Sequence, residues 1–237
     1  NINAVDVTKN GIDLTNEFRL NFEIVKFASD SGDKLLVLED GNLRSVVIAD
    51  KSISAVLIPK LEWFDNDESR VFYVSAPEKG EKKIGYYREG DSGIAIVKSI
   101  SAETVTKTIL TKYLGYFYFG FMENNRLYVY RTESLPTPER GLDKMTKLVE
   151  SDTNVMPNSF EMYNGGQFMV AGESDKLVVF DGELNDYSEF ATGNNKWSFV
   201  DQRLIQAVVD GKITIYDFDG TNRRELSKAS SYDAVIT

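Results

Sequence analysis

Three groups of oxygen-bearing side chains lie close enough together in the sequence to be considered as ligands of a calcium loop. They are Asp65 with Asp67 and Ser69, Asp30 with Asp33, and Asp217 with Asp219. The first group alternates as the early ligands of such a loop do, but the matching glycine and distal glutamate are missing. All three groups are better explained as solvated turns, so we predict no metal site and no cofactor.

The composition removes most catalytic chemistry. The chain contains no histidine and no cysteine. This excludes Ser-His-Asp and Cys-His catalysis, disulfides and zinc sites built on these residues. A glycosidase needs two facing carboxylates, but the chain has 37 Asp and Glu residues, and no spacing distinguishes one pair. Phosphate-binding loops, dinucleotide fingerprints and nucleophile elbows are also missing, so we predict no catalytic residue and lean against an enzyme.

Charge and hydropathy narrow the set of partners. The formal net charge is -10, and the basic pairs Lys82-Lys83 and Arg223-Arg224 are isolated from one another. Such a chain repels phosphate backbones, so we expect no nucleic acid partner. Hydrophobic residues make up 42% of the chain, which is ample for a core. No run reaches the roughly 18 apolar residues of a membrane span, so we predict none.

Short β-runs joined by turn residues make up most of the chain. The stretch 196–226 shows the pattern best, with apolar runs separated by Asp210-Gly211 and Asp219-Gly220 turns. Variants of this unit recur upstream, and each begins with an aromatic residue before its first polar turn. These aromatics are Phe27, Phe64, Phe121, Tyr163 and Phe199. Their spacing of about 36 to 57 residues, with about four strands per unit, is typical of a β-propeller.

The units differ in length. The unit that opens at Leu61 extends to Leu110 and is long enough for an extended hairpin, whereas the strand 115–121 begins the next unit. Residues 132–145 then break the strand pattern. Trp63 and Trp197 are predicted to wedge between neighbouring sheets, because large aromatics fill the widening gaps of a propeller.

The segment that breaks the pattern is the candidate contact element. It contains Leu135, Pro136, Pro138 and Arg140, and its two prolines bar it from a central strand. Long loops on a rigid scaffold are common places for binding residues. We therefore predict that these four residues contact a partner, with a mobile connector as the alternative.

The segment 216–226, Tyr-Asp-Phe-Asp-Gly-Thr-Asn-Arg-Arg-Glu-Leu, resembles the repeat of TolB-type and related WD40-like propellers. Their blades end in a similar acidic-Gly-Ser/Thr-Asn turn before an Arg and a Leu. Residues 6–15 match more loosely, and Ser29-Asp30-Ser31-Gly32 echoes the first-turn motif of those propellers. The resemblance implies an extracytoplasmic interaction scaffold, periplasmic or at the cell surface and often part of an envelope assembly, but it transfers no catalytic residue.

The predicted fold class is therefore all-β. Residues 1–237 form a single domain, a β-propeller or propeller-like array of about five to six antiparallel four-stranded sheets. A half-unit stands at each end of the chain, and runs 4–7 and 12–15 are expected to pair with Val235-Ile236 and close the ring. The alternative is an incomplete ring, an open arc cut from a larger propeller.

The predicted function is a non-enzymatic protein-interaction scaffold, with another protein as partner. The first alternative is a propeller that binds or hydrolyses cell-wall or extracellular glycans. The second is a purely structural segment of a larger envelope protein. A deep funnel with two carboxylates and an exposed tryptophan would favour the glycan, and a flat apolar rim would favour a protein.

Overall fold

In the computed structural model, residues 8–9, 12–13, 23–28, 33–66, 70–88, 93–135, 144–173, 175–192, 197–201, 203–209 and 211–228 are described. These ranges contain β-strands and turns and no α-helix. The chain divides into two compact units, residues 1–103 with 136–142, and residues 104–135 with 143–237. The predicted single domain over residues 1–237 stays a prediction.

The first unit contains a short hairpin and two four-stranded sheets. Its strands are β1 Thr8–Lys9, β2 Ile12–Asp13, β3 Ile24–Phe27, β4 Lys34–Glu39, β5 Asn42–Val47, β6 Ser52–Ile53, β7 Leu61–Asn66, β8 Arg70–Ser75, β9 Glu81–Arg88 and β10 Ala95–Ser101. Strands β1 and β2 pair with each other in antiparallel orientation. Strands β3 to β6 form one sheet and β7 to β10 the next, each in chain order.

The second unit contains three four-stranded sheets. Its strands are β11 Thr106–Tyr113, β12 Tyr116–Glu123, β13 Arg126–Thr132, β14 Thr146–Asp152, β15 Ser159–Tyr163, β16 Phe168–Gly172, β17 Lys176–Asp181, β18 Asp186–Ala191, β19 Trp197–Asp201, β20 Leu204–Val209, β21 Lys212–Asp217 and β22 Arg224–Lys228. Consecutive groups of four form antiparallel sheets in chain order, and a short 3₁₀ turn, Asn164–Gly166, joins β15 to β16. We refer to these sheets by their strands.

Aliphatic and aromatic side chains hold the two sheets of the first unit together. Leu36, Leu38 and Leu43 of the first sheet pack with Phe64 and Tyr73 of the second, and all five are almost fully buried. The alternation of strand side chains sends every second residue toward this layer. The sheets of the first unit are therefore joined by face-to-face packing, as the repeat pattern predicts.

The last two sheets of the second unit are joined by aromatic rings. Phe199 of β19 stacks on Tyr163 of β15 with ring centroids 4.0 Å apart. Trp197 contacts the edge of Tyr163 and lies so close to Gly172 that a Cβ there would come within 2.4 Å of its ring. Trp197 thus wedges between two sheets, which confirms its predicted packing role. Trp63 is half-buried and packs against Phe72 of its own sheet.

The fold class is confirmed, because the described residues form five four-stranded antiparallel sheets. One unit boundary is corrected. Phe121 lies on the second strand of its sheet, β12. The run predicted to end the preceding unit, Val105 to Leu110, instead leads into the first strand of this sheet, β11, which begins at Thr106. Strand β14 was not predicted, and it begins directly after the predicted break at 132–145. The proposed closing strands 4–7, 14–15 and 235–236 lie outside the described residues.

Candidate interaction surface

In the second unit, the turns of all three sheets meet at one end. We call this end the turn rim. Among the described residues it consists of Leu114–Gly115, Glu133–Leu135, Lys144, Asn164–Gln167, Gly182–Asn185, Arg203 and Phe218–Arg223. In an antiparallel meander, alternate connections lie at the same end of the sheet, and side-chain contacts show that the three sheets share this end.

Two side chains connect the rim of the β11–β14 sheet to that of the β15–β18 sheet. The Tyr118 hydroxyl donates to the backbone oxygen of Gly182 at 3.0 Å, and it is 2% exposed. Arg131 Nη1 donates to Asn185 Oδ1 at 3.2 Å, while its guanidinium lies 4.6 Å from the centre of the Tyr116 ring. The β17–β18 turn is therefore fixed from the neighbouring sheet.

A buried amide organises the middle of the rim. Gln167 Nε2 donates to Asp181 Oδ1 at 3.0 Å and to Glu183 Oε2 at 3.2 Å, and its Oε1 accepts from Asn164 Nδ2 at 2.6 Å. Asp181 Oδ1 also accepts the backbone N–H of Glu183 at 2.8 Å. Gln167 and Asp181 are 2% and 4% exposed. Since buried polar groups need such partners, this network rigidifies the turns that it joins.

The third sheet is attached to the rim by an ion pair. Arg203 Nη2 lies 3.5 Å from Glu183 Oε2, and both side chains are largely exposed. Tyr113 lies beside this pair, and a Cβ on Gly182 would come within 3.3 Å of its ring. Burial raises the pKa of Tyr113, and the charges of Glu183 and Asp181 raise it further, against the opposing effect of Arg203.

Two leucines project from the rim into solvent. Leu114 is 69% exposed and Leu184 is 68% exposed, the largest values among the large apolar side chains that the structure describes. Leu114 occupies the β11–β12 turn and Leu184 the β17–β18 turn. Sequence reasoning missed both. The signal was a Leu-Gly pair between two aromatic runs, where a turn favours Asn-Gly.

The predicted contact loop begins at this same rim. Leu135 is half-buried and follows β13, at the end of the sheet where β11 joins β12. Pro136, Pro138 and Arg140 lie outside the described residues. The structure thus places the one describable member of the predicted set at the rim, at the same end of the sheet as the turn that carries Leu114.

The carboxylate groups singled out by spacing serve local structure where they are described. Asp219 Oδ1 accepts from the backbone N–H of Thr221 at 2.9 Å, and Asp217 Oδ2 accepts from Asn222 at 2.6 Å. These bonds close the turn that resembles the TolB repeat. Asp65 forms an ion pair with Lys26.

Three members of the carboxylate groups lie outside the described residues, namely Asp30, Asp67 and Ser69. Among the residues with described positions, no cluster of three or more carboxylates could hold a metal ion. No helix in the described part of the chain is long and apolar enough to cross a membrane.

No protein-family model matches this chain, and a search of curated proteins finds no significant relative. Many solved structures, however, share its fold. A chain in the crystal structure of a nidogen–laminin complex matches with a TM-score of 0.50 and 8% identity, over 86% of this chain and 78% of that one. TolB from Acinetobacter baumannii matches with a TM-score of 0.51 and 12% identity, over 89% of this chain and 55% of TolB.

A puromycin-hydrolysing peptidase from Mycobacterium tuberculosis also matches, with a TM-score of 0.50 and 11% identity, over 91% of this chain and 39% of the peptidase. This chain therefore spans about half of the TolB chain and about two fifths of the peptidase. At such identities the likeness establishes the fold alone. The chain has the TolB-like β-propeller repeat architecture that the segment 216–226 resembles.

Proposed function

We propose that this protein is a non-enzymatic protein-interaction scaffold and that the turn rim of its second unit is the contact surface. One observation carries the proposal. Hydrogen bonds through Tyr118, Arg131 and Gln167 fix turns from neighbouring sheets, and two exposed leucines project from the surface so formed. A rigid surface loses little conformational entropy on binding, and exposed apolar tips supply contact area.

The comparisons support this proposal at the level of fold. One of the matched structures is a nidogen–laminin complex, so a chain with this architecture occurs in an assembly of two proteins. The resemblance of residues 216–226 to TolB-type repeats, together with the matched TolB structure, supports an extracytoplasmic envelope assembly as the setting. We therefore propose a periplasmic or cell-surface location and the predicted loop from Leu135 to Arg140 as part of the contact surface.

The glycan alternative receives no support from the tryptophans. Trp197 is covered by Gly172 and Tyr163, and Trp63 packs on Phe72, so both rings are half-buried in contacts within the protein. A glycan platform needs an aromatic face that is open to solvent. The protein-interaction function accounts for the exposed rim better.

Site-specific photo-crosslinking in the source cells tests the proposed function. A photoreactive benzoylphenylalanine replaces Leu135. In a control it replaces Val105, which is 48% exposed and directly precedes β11 at the opposite end of the same sheet. We expect a discrete crosslinked protein product from position 135 and none from position 105. Equal products at both positions, or none at position 135, would contradict the proposed contact surface.

A further inference from the structure

The β15–β16 turn contains an asparagine followed directly by a glycine. Asn164–Gly165 is the one Asn-Gly pair among the described residues. The pairing of β15 with β16 ends at Tyr163 and Phe168, so the Gly165 nitrogen takes no part in it. A Cβ built at Gly165 would meet nothing within 4 Å, so the space beside this nitrogen is open. The turn therefore places a side-chain amide next to an unhindered backbone nitrogen.

These two groups can react with each other without an oxidant or a cofactor. Once the Gly165 N–H has lost its proton, the nitrogen attacks Cγ of Asn164 and forms a bond to it. The Cγ–Nδ2 bond breaks and ammonia leaves, so that a five-membered succinimide remains. Water then adds to one of the two ring carbonyls and opens the ring. The products are aspartate and isoaspartate, which lengthens the backbone by one carbon, and no atom is oxidised or reduced overall.

The hydrogen bonds around Gln167 fix the direction in which Asn164 must donate. Asp181 and Glu183 carry carboxylates, which only accept, so Gln167 must present its Nε2 to them. The Gln167 Oε1 then faces Asn164 and accepts from Nδ2 at 2.6 Å. The donors therefore point in one direction along these side chains, from Asn164 through Gln167 to the two carboxylates.

Deamidation removes the first donor of this series. A carboxylate at position 164 would place an oxygen against Gln167 Oε1, and neither atom could donate. If the Gln167 amide reversed, its Oε1 would face the carboxylate of Asp181 instead. No orientation of the amide satisfies both neighbours, although Gln167 and Asp181 are almost fully buried. A buried polar network that is only partly satisfied destabilises the structure around it.

We infer that Asn164 is a deamidation site and that its conversion loosens the turn rim. The amide form links the β15–β16 turn to the β17–β18 turn, and the acidic forms weaken this link. Because ammonia is lost, the fraction of loosened molecules rises with the age of the protein. The reaction and the loss of rigidity do not depend on a partner, whereas their effect on partner binding rests on the proposed function.

Peptide mapping by mass spectrometry tests the modification. The intact protein is incubated in mildly alkaline buffer, and the conversion of each asparagine is followed over time. Asn124, Asn185 and Asn222 are matched controls, because they also have positive φ but precede a residue that has a side chain. Among these four residues, we expect aspartate and isoaspartate to accumulate first at Asn164. Conversion at Asn164 that is no faster than at the controls would overturn the inference.

Hydrogen exchange tests the consequence, with Asn164→Asp as a substitute for the aspartate product. Aspartate tolerates positive φ, as Asp40 does in this chain, so the turn itself can be retained. The backbone N–H of Glu183 donates to Asp181, the carboxylate that depends on Gln167. We expect this N–H to exchange about tenfold faster in Asn164→Asp than in the intact chain.

Asn124→Asp is the matched control for this substitution. Asn124 also has positive φ in a tight turn, but its Oδ1 accepts the Val105 N–H at 3.1 Å. Aspartate accepts equally well, so Asn124→Asp should exchange at Glu183 as the intact chain does. Aged intact protein gives the same measurement without a substitution, because only its deamidated fraction should exchange faster.

The other outcomes are distinct. Unchanged exchange at Glu183, in both Asn164→Asp and the deamidated fraction, would overturn the proposed loosening. Equal acceleration in Asn164→Asp and Asn124→Asp would also overturn it, because the cause would then be the added charge and not the lost donor. None of these results changes the crosslinking expected from Leu135, so the scaffold function is tested separately.

Discussion

At the scale of single residues, Tyr73 has a buried hydroxyl group that forms no hydrogen bond with the described residues. Its side chain is 1% exposed, and its hydroxyl has no hydrogen-bond partner among the described residues. Its ring lies over Gly85, the residue paired with it on the neighbouring strand. The packing of the ring therefore stabilises the first unit, while the buried hydroxyl opposes it.

We predict that Tyr73→Phe raises the free energy of unfolding by about 1 kcal/mol, because it removes an unsatisfied buried hydroxyl and keeps the ring. Denaturant unfolding measures the change. Tyr87→Phe is a suitable control, since Tyr87 is only partly buried beside the same core. A loss of stability in Tyr73→Phe would show that the hydroxyl has a partner in the folded protein.

The burial of Tyr73 should also make the stability of the protein depend on pH in the alkaline range. Burial raises the pKa of Tyr73 to about 12 from an ordinary value of 10.0, so the folded state favours the neutral phenol. The resulting stability is complete below pH 10 and is lost as pH rises from 10 through 12. We expect the unfolding free energy to fall over this window, and to fall less in Tyr73→Phe. An identical pH dependence in both proteins would contradict the shift.

Leu114 is a second residue that lowers stability, because its side chain is exposed and its backbone is in the left-handed region. Leu114→Asn should raise the free energy of unfolding by about 0.5–1 kcal/mol, because Asn tolerates positive φ better than Leu. Denaturant unfolding checks this, with Leu226→Asn as the control at an exposed leucine on a strand. A decrease in stability would mean that the Leu114 side chain contributes to packing.

At the scale of elements, the sheets of this protein depend on close approach between backbones. A Cβ on Gly85 would lie 2.1 Å from the backbone oxygen of Ala95, on the adjacent strand β10. The backbone cannot move without breaking the β9–β10 pairing, so the clash has no inexpensive relief.

We therefore predict that Gly85→Ala lowers the unfolding free energy by at least about 2–4 kcal/mol or prevents folding, in the range of severe overpacking. Gly93→Ala is the matched control, since a Cβ at Gly93 meets nothing within 4 Å and the backbone there is not left-handed. Thermal unfolding by circular dichroism compares the two. Equal midpoints would refute the tight approach at Gly85.

The network around Gln167 is the second element-scale feature. Gln167→Leu should cost about 2–3 kcal/mol, because it leaves the buried Asp181 carboxylate short of a donor. Hydrogen exchange should accelerate first at the β17–β18 turn, which includes Glu183. The exposed Asn125→Ala provides a comparison at the other end of the unit. Unchanged exchange in Gln167→Leu would show that the turn is rigid without the amide.

Most strands could be predicted from the sequence, because apolar runs mark the strands and Asn-Gly or Asp-Gly turns mark where they end. The prediction from sequence failed where a turn or a strand lacks these residue patterns. The Leu114–Gly115 turn lacks the expected Asn, so the strand before it was assigned to the wrong unit and Phe121 was aligned as a first-strand residue. Strand β14 is an outer strand with mostly exposed, polar side chains, and it carries little apolar signal.

The candidate site divides in the same way. Pro136 and Pro138 mark a loop because proline is excluded from central strands, and Leu135 does lie at the turn rim. The rim itself could not be predicted, because it depends on contacts between sheets, such as that of Tyr118 with Gly182, which join residues distant in the sequence. Leu184 gave no signal, since an isolated exposed leucine in a turn is common.

At the scale of the whole molecule, each of the five four-stranded sheets in the described part of the chain takes its strands from one continuous stretch of sequence, in chain order. The strands that pair within a sheet are therefore close together in the sequence, and such local pairing favours rapid folding of the sheet. A growing polypeptide can complete one sheet while the next is still being synthesised. Within each compact unit, translation from the N-terminus would thus supply the next sheet with a finished surface on which to assemble.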